Sequence, residues 1–187
     1  MNRLILFFAS SLLFVSCAKQ YLPWQASNIE KSTAAEIRIL NVNDGEWTHL
    51  SKDITLFSQL ERLNFQNNVL EELPEFINEV QKLEWLNVAG NNLEELSQAL
   101  GNLEAIERLN ISNNKFSSLP KVILDLPNLE VLDLRNNNFS ELPQELSNLK
   151  QLNAIYIGGN NFTGEQRKTF RKWLPYTKII LRSDKRK

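Results

Sequence analysis

The side chains best suited to act as a thiol nucleophile, a general base near neutral pH or a soft metal ligand are Cys17 and His49, and each type occurs once. A single cysteine closes no internal disulfide, and a single histidine argues against a zinc site. His49 has no nucleophile or carboxylate at a suggestive spacing and reads as an exposed turn residue. The chain carries no G-x-S-x-G, no phosphate-binding loop and no H-E-x-x-H. Glu71-Glu72 and Glu94-Glu95 recur 23 residues apart, which makes them part of a repeated surface and not an acid–base pair. No catalytic residue, metal or cofactor is therefore expected. The formal net charge of −1 gives no general attraction for nucleic acid. The chemistry that remains is recognition. Trp85 has Arg62 and Arg108 at 23 residues on either side, and tryptophan and arginine are the types most enriched at binding hot spots.

Those spacings belong to a repeat. Leu60, Leu63, Phe65, Asn68, Leu70 and Leu73 set a pattern that returns at Leu83, Leu86, Val88, Asn91, Leu93 and Leu96. It returns at Ile106, Leu109, Ile111, Asn114, Phe116 and Leu119, then at Leu129, Leu132, Leu134, Asn137, Phe139 and Leu142. A fifth copy reads Leu152, Ile155, Ile157, Asn160 and Phe162, and every step is 23 residues. One period earlier, Ile37, Leu40, Val42, Trp47 and Leu50 form a degenerate copy with Gly45 in place of the asparagine, as terminal repeats often are. Leu63 and Phe65 alternate as a short strand requires, so both point inward while their neighbours point out. Pro74, Pro120 and Pro143, with Ser97 standing in once, begin a return arm whose inner side takes Phe76, Ile77, Val80, Leu100 and Leu103.

The pattern resembles the leucine-rich-repeat family, L-x-x-L-x-L-x-x-N-x-L in its 23-residue form ending in L-P, over roughly residues 37–162. The resemblance implies an α/β solenoid: a right-handed arc with a short parallel sheet on its concave face and helical or irregular return arms. It also implies a buried asparagine ladder at Asn68, Asn91, Asn114, Asn137 and Asn160. Family members usually bind partners on the concave face, where the outward strand residues stack. The candidate binding set is Arg62, Asn64, Trp85, Asn87, Arg108, Asn110, Asp133, Arg135 and Tyr156. Two readings of Trp85 stay open: a ligand-facing anchor, or a ring lying flat between the guanidinium groups of Arg62 and Arg108. The asparagines of this face read either as contacts for a polar ligand or as soluble filler.

The ends carry other signals. Met1-Asn2-Arg3 followed by the apolar run from Leu4 to Val15 has the layout of a signal peptide and is too short to span a bilayer. The run ends at Leu13-Phe14-Val15-Ser16-Cys17, which resembles a bacterial lipoprotein box, with Phe14 and Val15 departing from its strict form. That resemblance implies lipidation of Cys17 and a membrane anchor without a spanning helix. The alternative is ordinary cleavage near Ala18 and secretion. Ser27 and Glu30 at capping-box spacing suggest a helix from Asn28 to Glu36; Thr163 and Gln166 repeat that spacing before a helix bearing Phe170, Trp173 and Leu174 on one face. Pro175 stops this helix, and Thr177 to Leu181 reads as a last strand. Arg167, Lys168, Arg171 and Lys172 read as a solvated helix face.

The expected organisation is a signal peptide at 1–16, a lipid-anchor linker and capping helix at 17–36 and six repeats at 37–162. A C-terminal cap at 163–182 and a disordered tail at 183–187 complete it. The expected role is a non-enzymatic protein- or peptide-binding module of the bacterial cell envelope, periplasmic or surface-exposed. It would have no nucleic-acid partner and no small-molecule cofactor. A structural spacer and a proteinaceous enzyme inhibitor are the alternatives.

Overall fold

The Leu-x-Leu alternation of each copy becomes a strand of three residues, and the copies stack these strands side by side. A computed structural model describes residues 6–7 and 34–182. The strands are β1 (Leu6–Phe7), β2 (Ile39–Asn41), β3 (Arg62–Asn64), β4 (Trp85–Asn87), β5 (Arg108–Asn110), β6 (Val131–Asp133), β7 (Ala154–Tyr156) and β8 (Lys178–Ile180). They form one parallel sheet in sequence order. Leu40, Leu63, Leu86, Leu109, Leu132, Ile155 and Ile179 share one register across it. This is the solenoid expected from the repeat. β1, from within the apolar N-terminal run, pairs with β2 through Leu6↔Leu40 and Phe7↔Asn41. Cys17, the remainder of that run and the tail at 183–187 lie outside the described residues.

The return arms are single 3-10 turns: Lys52–Leu56, Glu75–Glu79, Gln98–Asn102, Lys121–Asp125 and Gln144–Asn148. Pro74, Pro120 and Pro143 start three of them, where a missing N–H costs nothing. Ser97 and Ser51 start the other two, each accepting a bond from the N–H two residues on. With three residues per turn, Ile77 and Val80 point the same way, into the core. Phe76 precedes that row by one residue and is only half-buried at its edge, contrary to the sequence expectation.

The core is one continuous cluster running through all the copies. Phe116 and Phe139 stack at 6.3 Å between centroids, 4° from parallel, so even aromatic positions repeat along the axis. No copy could bury its own apolar side alone, and stability comes from neighbours.

Two side-chain columns lock the copies together. In the first, Asn91 donates from Nδ2 to Phe65 O at 3.0 Å in the copy before it and to Val88 O at 3.0 Å in its own. Its Oδ1 accepts from Leu70 N at 3.0 Å. Asn68, Asn114, Asn137 and Asn160 repeat the arrangement. At Gly45 the position an asparagine side chain would take is filled: a Cβ there would lie 2.6 Å from the Trp47 indole and 2.8 Å from Asn68 Oδ1. The second column turns the chain off the sheet in a left-handed conformation at Asp44, Asn67, Gly90, Asn113, Asn136 and Gly159. Only Asn, Asp and Gly tolerate that conformation readily. Asn67 bonds Asp44 at 2.7 Å and Asn136 bonds Asn113 at 3.0 Å along it.

The C-terminal end replaces the 3-10 turn by α1 (Gly164–Trp173), begun by a reciprocal Thr163–Gln166 capping box. Phe170 meets Phe162 edge-on at 5.0 Å, and Leu174 is buried beside it. Trp173, expected inside, is half-buried against Phe170 at 6.0 Å. The helix expected over Asn28–Glu36 lies mostly outside the described residues. Of that segment, Ala34 is buried and accepts from Ile37 N at 3.2 Å.

Candidate binding face

Residues pointing away from the core form three columns on the open face of the sheet. The first runs Ile39, Arg62, Trp85, Arg108, Val131, Ala154 and Lys178. The second runs Asn41, Asn64, Asn87, Asn110, Asp133, Tyr156 and Ile180. The third continues just past the strands, through Gln66, Ala89, Ser112, Arg135 and Gly158.

The middle column uses its polar atoms inside the fold. Asn64 Oδ1 accepts from Gln66 N at 3.2 Å, Asn87 Oδ1 from Ala89 N at 3.1 Å, and Asn110 Oδ1 from Ser112 N at 3.0 Å. Asp133 Oδ1 does the same for Arg135 N at 3.1 Å. Each side chain thus satisfies the N–H where the strand ends, a structural reason for a short Asn or Asp there. Asn87 also donates to Asn64 Oδ1 and Gln66 Oε1, both at 3.0 Å. Asn87 is 4% exposed and Asp133 7%. These two candidate contacts are therefore largely withdrawn from a ligand, because neighbouring strands, about 4.8 Å away, crowd them from both sides. Asn64 and Asn110 stay half-buried.

The first column is different. Arg62 and Arg108 are exposed, Trp85 between them is half-buried, and none of the three makes a side-chain hydrogen bond or ion pair among the described residues. Neither guanidinium stacks on the indole, so the sandwich does not form. Glu84 and Glu107 line a shallow hollow of about 310 Å³ with these three residues. The stacked pair lies further along: the Arg135 guanidinium sits 5.0 Å from the Tyr156 ring centroid. Arg135 also grips Asp133 through Nε at 2.9 Å and 3.0 Å to the two carboxylate oxygens.

A groove of about 490 Å³ joins these parts, lined by Trp85, Arg108, Val131, Asp133, Arg135 and Tyr156 and closed by Ile180 and Arg182. Sequence reasoning missed the last two and the rim glutamates. From Ala154 to Lys178 the register advances 24 residues, so a search at 23 walks past the cap. Gly158 lets the cap come close: a Cβ there would lie 2.4 Å from the Arg182 carbonyl carbon and 2.5 Å from Leu181 O.

Elsewhere, His49 is exposed, with Nδ1 3.0 Å from Thr48 Oγ1. Arg167, Lys168, Arg171 and Lys172 lie on the exposed side of α1, where Lys168 pairs with Glu165 at 2.7 Å. A hollow of about 740 Å³ lies between return arms at Leu119, Leu124, Leu142 and Pro143. Among the described residues no helix is long and apolar enough to cross a membrane.

Residues 81–139 and 105–162 match the family model described as leucine rich repeat. No curated protein matches the chain in sequence. Many solved structures share its fold, among them two from bacteria. A leucine-rich-repeat protein of Leptospira interrogans is 19% identical with a TM-score of 0.52, over 80% of this chain and 62% of that one. An internalin of Listeria monocytogenes is 19% identical with a TM-score of 0.63, over 83% of this chain and 44% of that one. The chain thus spans about three fifths of the first and less than half of the second.

Proposed function

Taking as premise that the chain is a leucine-rich-repeat protein, a fold that is commonly a protein-interaction module and typically non-enzymatic, we propose that it holds a protein or peptide partner on its concave face. The carrying observation is Trp85 between two exposed arginines whose side chains have no hydrogen-bond or ion-pair partner among the described residues, on a sheet where Asn64, Asn87, Asn110 and Asp133 bond within the fold. A large aromatic between two guanidinium groups offers contact area, stacking and bidentate hydrogen bonding in one place. We further infer that the protein works in the bacterial cell envelope, anchored by lipid on Cys17. The apolar run ending in Ser16-Cys17 supports that reading, and Cys17→Ala should move the protein from the membrane fraction to the soluble one.

A second reading, a spacer or assembly element, is favoured by the self-satisfied asparagine column, which leaves the face few free polar groups. Capture of partners from an envelope extract separates the two, using wild type beside a Trp85→Ala/Arg108→Ala variant of matched thermal stability. A partner kept by wild type and lost by the variant supports binding through the face. Identical catches from both proteins, or empty ones, leave the spacer.

A further inference from the structure

The groove between Trp85 and Arg182 has a definite chemistry. Its lining holds three arginines and one carboxylate. That carboxylate, Asp133, is 7% exposed and already occupied by the Arg135 side chain and the Arg135 N–H. Arg108 and Arg182 are exposed, and their side chains make no hydrogen bond or ion pair among the described residues. Two unmatched guanidinium groups thus face one opening in a chain of net charge −1. Between them lie half-buried Val131, Tyr156 and Ile180, with Trp85 at the far end. Of the strands beneath, β4 to β7 have both edges paired, and only β8, last in the sheet, has an edge without a partner strand among the described residues, so over β4 to β7 a ligand finds no free ladder to extend. It must be read through its side chains.

We propose that this groove takes an extended segment of a protein partner that carries an aspartate or glutamate next to an aromatic or aliphatic side chain. The proposal rests on the concave-face reading and names the ligand that face selects. The carboxylate seats between Arg108 and Arg182, since a planar guanidinium meets a carboxylate with two parallel N–H donors. The apolar neighbour covers Val131 and Ile180 against Tyr156 or Trp85. Four strand spacings of about 4.8 Å separate β4 from β8, a span that roughly six extended residues cover. Glu84 and Glu107 stand beside Trp85 and Arg108 and repel a uniformly anionic chain. A polyanion such as a sulfated glycan or a nucleic acid is therefore a worse fit than one carboxylate flanked by apolar residues.

A displayed library of random short peptides, selected on the purified protein, tests this. Selected sequences are then synthesised and titrated by fluorescence anisotropy against wild type, Arg108→Gln, Arg182→Gln and Trp85→Ala. Both arginine side chains are exposed and without partners among the described residues, so their glutamine variants should keep the wild-type unfolding midpoint, which is measured alongside. The expected result is enrichment of Asp or Glu beside Phe, Tyr, Leu or Ile. Each arginine variant should lose tenfold or more in affinity, and changing the peptide's acid to its amide should cost less in either arginine variant than in wild type, and nothing further in the Arg108→Gln/Arg182→Gln double variant. Peptides without acidic enrichment that bind both arginine variants as well as wild type overturn the proposal, and their loss on Trp85→Ala would still leave the concave-face reading standing. Peptides indifferent to all three substitutions, or no selected peptide, overturn both. Heparin displacing the selected peptides at their own concentration would replace the peptide ligand by a polyanion.

Discussion

Replacing Asn114 by alanine isolates what the buried asparagine column contributes. Asn114 Nδ2 donates to Val88 O at 3.0 Å, Ile111 O at 3.1 Å and Ser112 O at 3.2 Å, and its Oδ1 accepts from Leu93 N at 3.0 Å. Four bonds vanish in the variant, yet the four partners fare differently. Val88 O keeps Asn91 at 3.0 Å, Ile111 O keeps Asn137 at 3.0 Å, and Ser112 O keeps Gly90 N at 2.9 Å. Leu93 N has no second acceptor among the described residues, and Leu93 is fully buried. The cost is therefore that of one orphaned buried donor, about 1–3 kcal/mol, and not four times that.

Urea unfolding followed by circular dichroism and tryptophan fluorescence measures it. A typical urea slope is about 1–3 kcal/mol per molar, so the midpoint should fall by roughly 1 M with the slope unchanged. Asn138→Ala is the control: that side chain is exposed, reaching Lys115 O only at 3.5 Å, and should cost within about 0.5 kcal/mol. Asn114→Asp gives an independent sign. Aspartate keeps an acceptor for Leu93 N but turns a charged oxygen toward three carbonyls, so it should be less stable than the alanine variant. Equal midpoints for Asn114→Ala and Asn138→Ala, or an aspartate variant as stable as wild type, would refute this assignment of donors and acceptors.

Other perturbations follow from single contacts. Gly158→Ala sets a methyl against backbone atoms of Leu181 and Arg182 at 2.4–2.5 Å; it should cost about 1–3 kcal/mol and weaken peptides that depend on Arg182, read by unfolding midpoint and anisotropy. Thr163→Ala removes half of the capping box on α1 and should cost about 1 kcal/mol, checked by chemical denaturation. Tyr156→Ala removes the ring beneath Arg135, a contact worth about 0.5–2 kcal/mol for a half-buried pair, measurable as a double-mutant cycle with Arg135→Ala. Gly159→Asn tests the left-handed column: φ there is +74°, which asparagine tolerates, but a Cβ would sit 2.0 Å from Asn136 Oδ1. It should destabilise the protein unless Asn136→Gly accompanies it, and thermal unfolding of the single and double variants decides.

The apolar register was legible because a leucine is required by shape and tolerates few replacements, so Leu63, Leu86, Leu109 and Leu132 announce themselves at a fixed step. The left-handed column was not read, although it repeats at the same step. Asp44, Asn67 and Gly90 answer one backbone requirement with three residue types, and a pattern sought by identity passes over it. Asn64, Asn87 and Asn110 were legible as outward-facing but not as occupied. Direction follows from strand periodicity, whereas satisfaction of the amide depends on the N–H two residues along and on the neighbouring strand. Arg182 escaped because α1 makes the last step one residue longer than the others.

These two kinds of position place different demands on the binding face. Asn64, Asn87, Asn110 or Asp133 replaced by a side chain that cannot accept would leave a strand-end N–H without its partner, so these four positions vary little in what they can offer a ligand. The first-column side chains make no comparable bond among the described residues, and Arg62, Trp85 and Arg108 should be free to change without disturbing the sheet beneath. On the proposed reading, recognition concentrates where the fold makes no claim on the side chain: in the first column and at the cap, where Gly158 admits Arg182. On this architecture, substitutions of Arg62, Trp85, Arg108 and Arg182 should alter binding with little effect on stability. Substitutions of Asn87 and Asp133 should lower stability first, and any binding they affect should be lost only as the strand ends come apart.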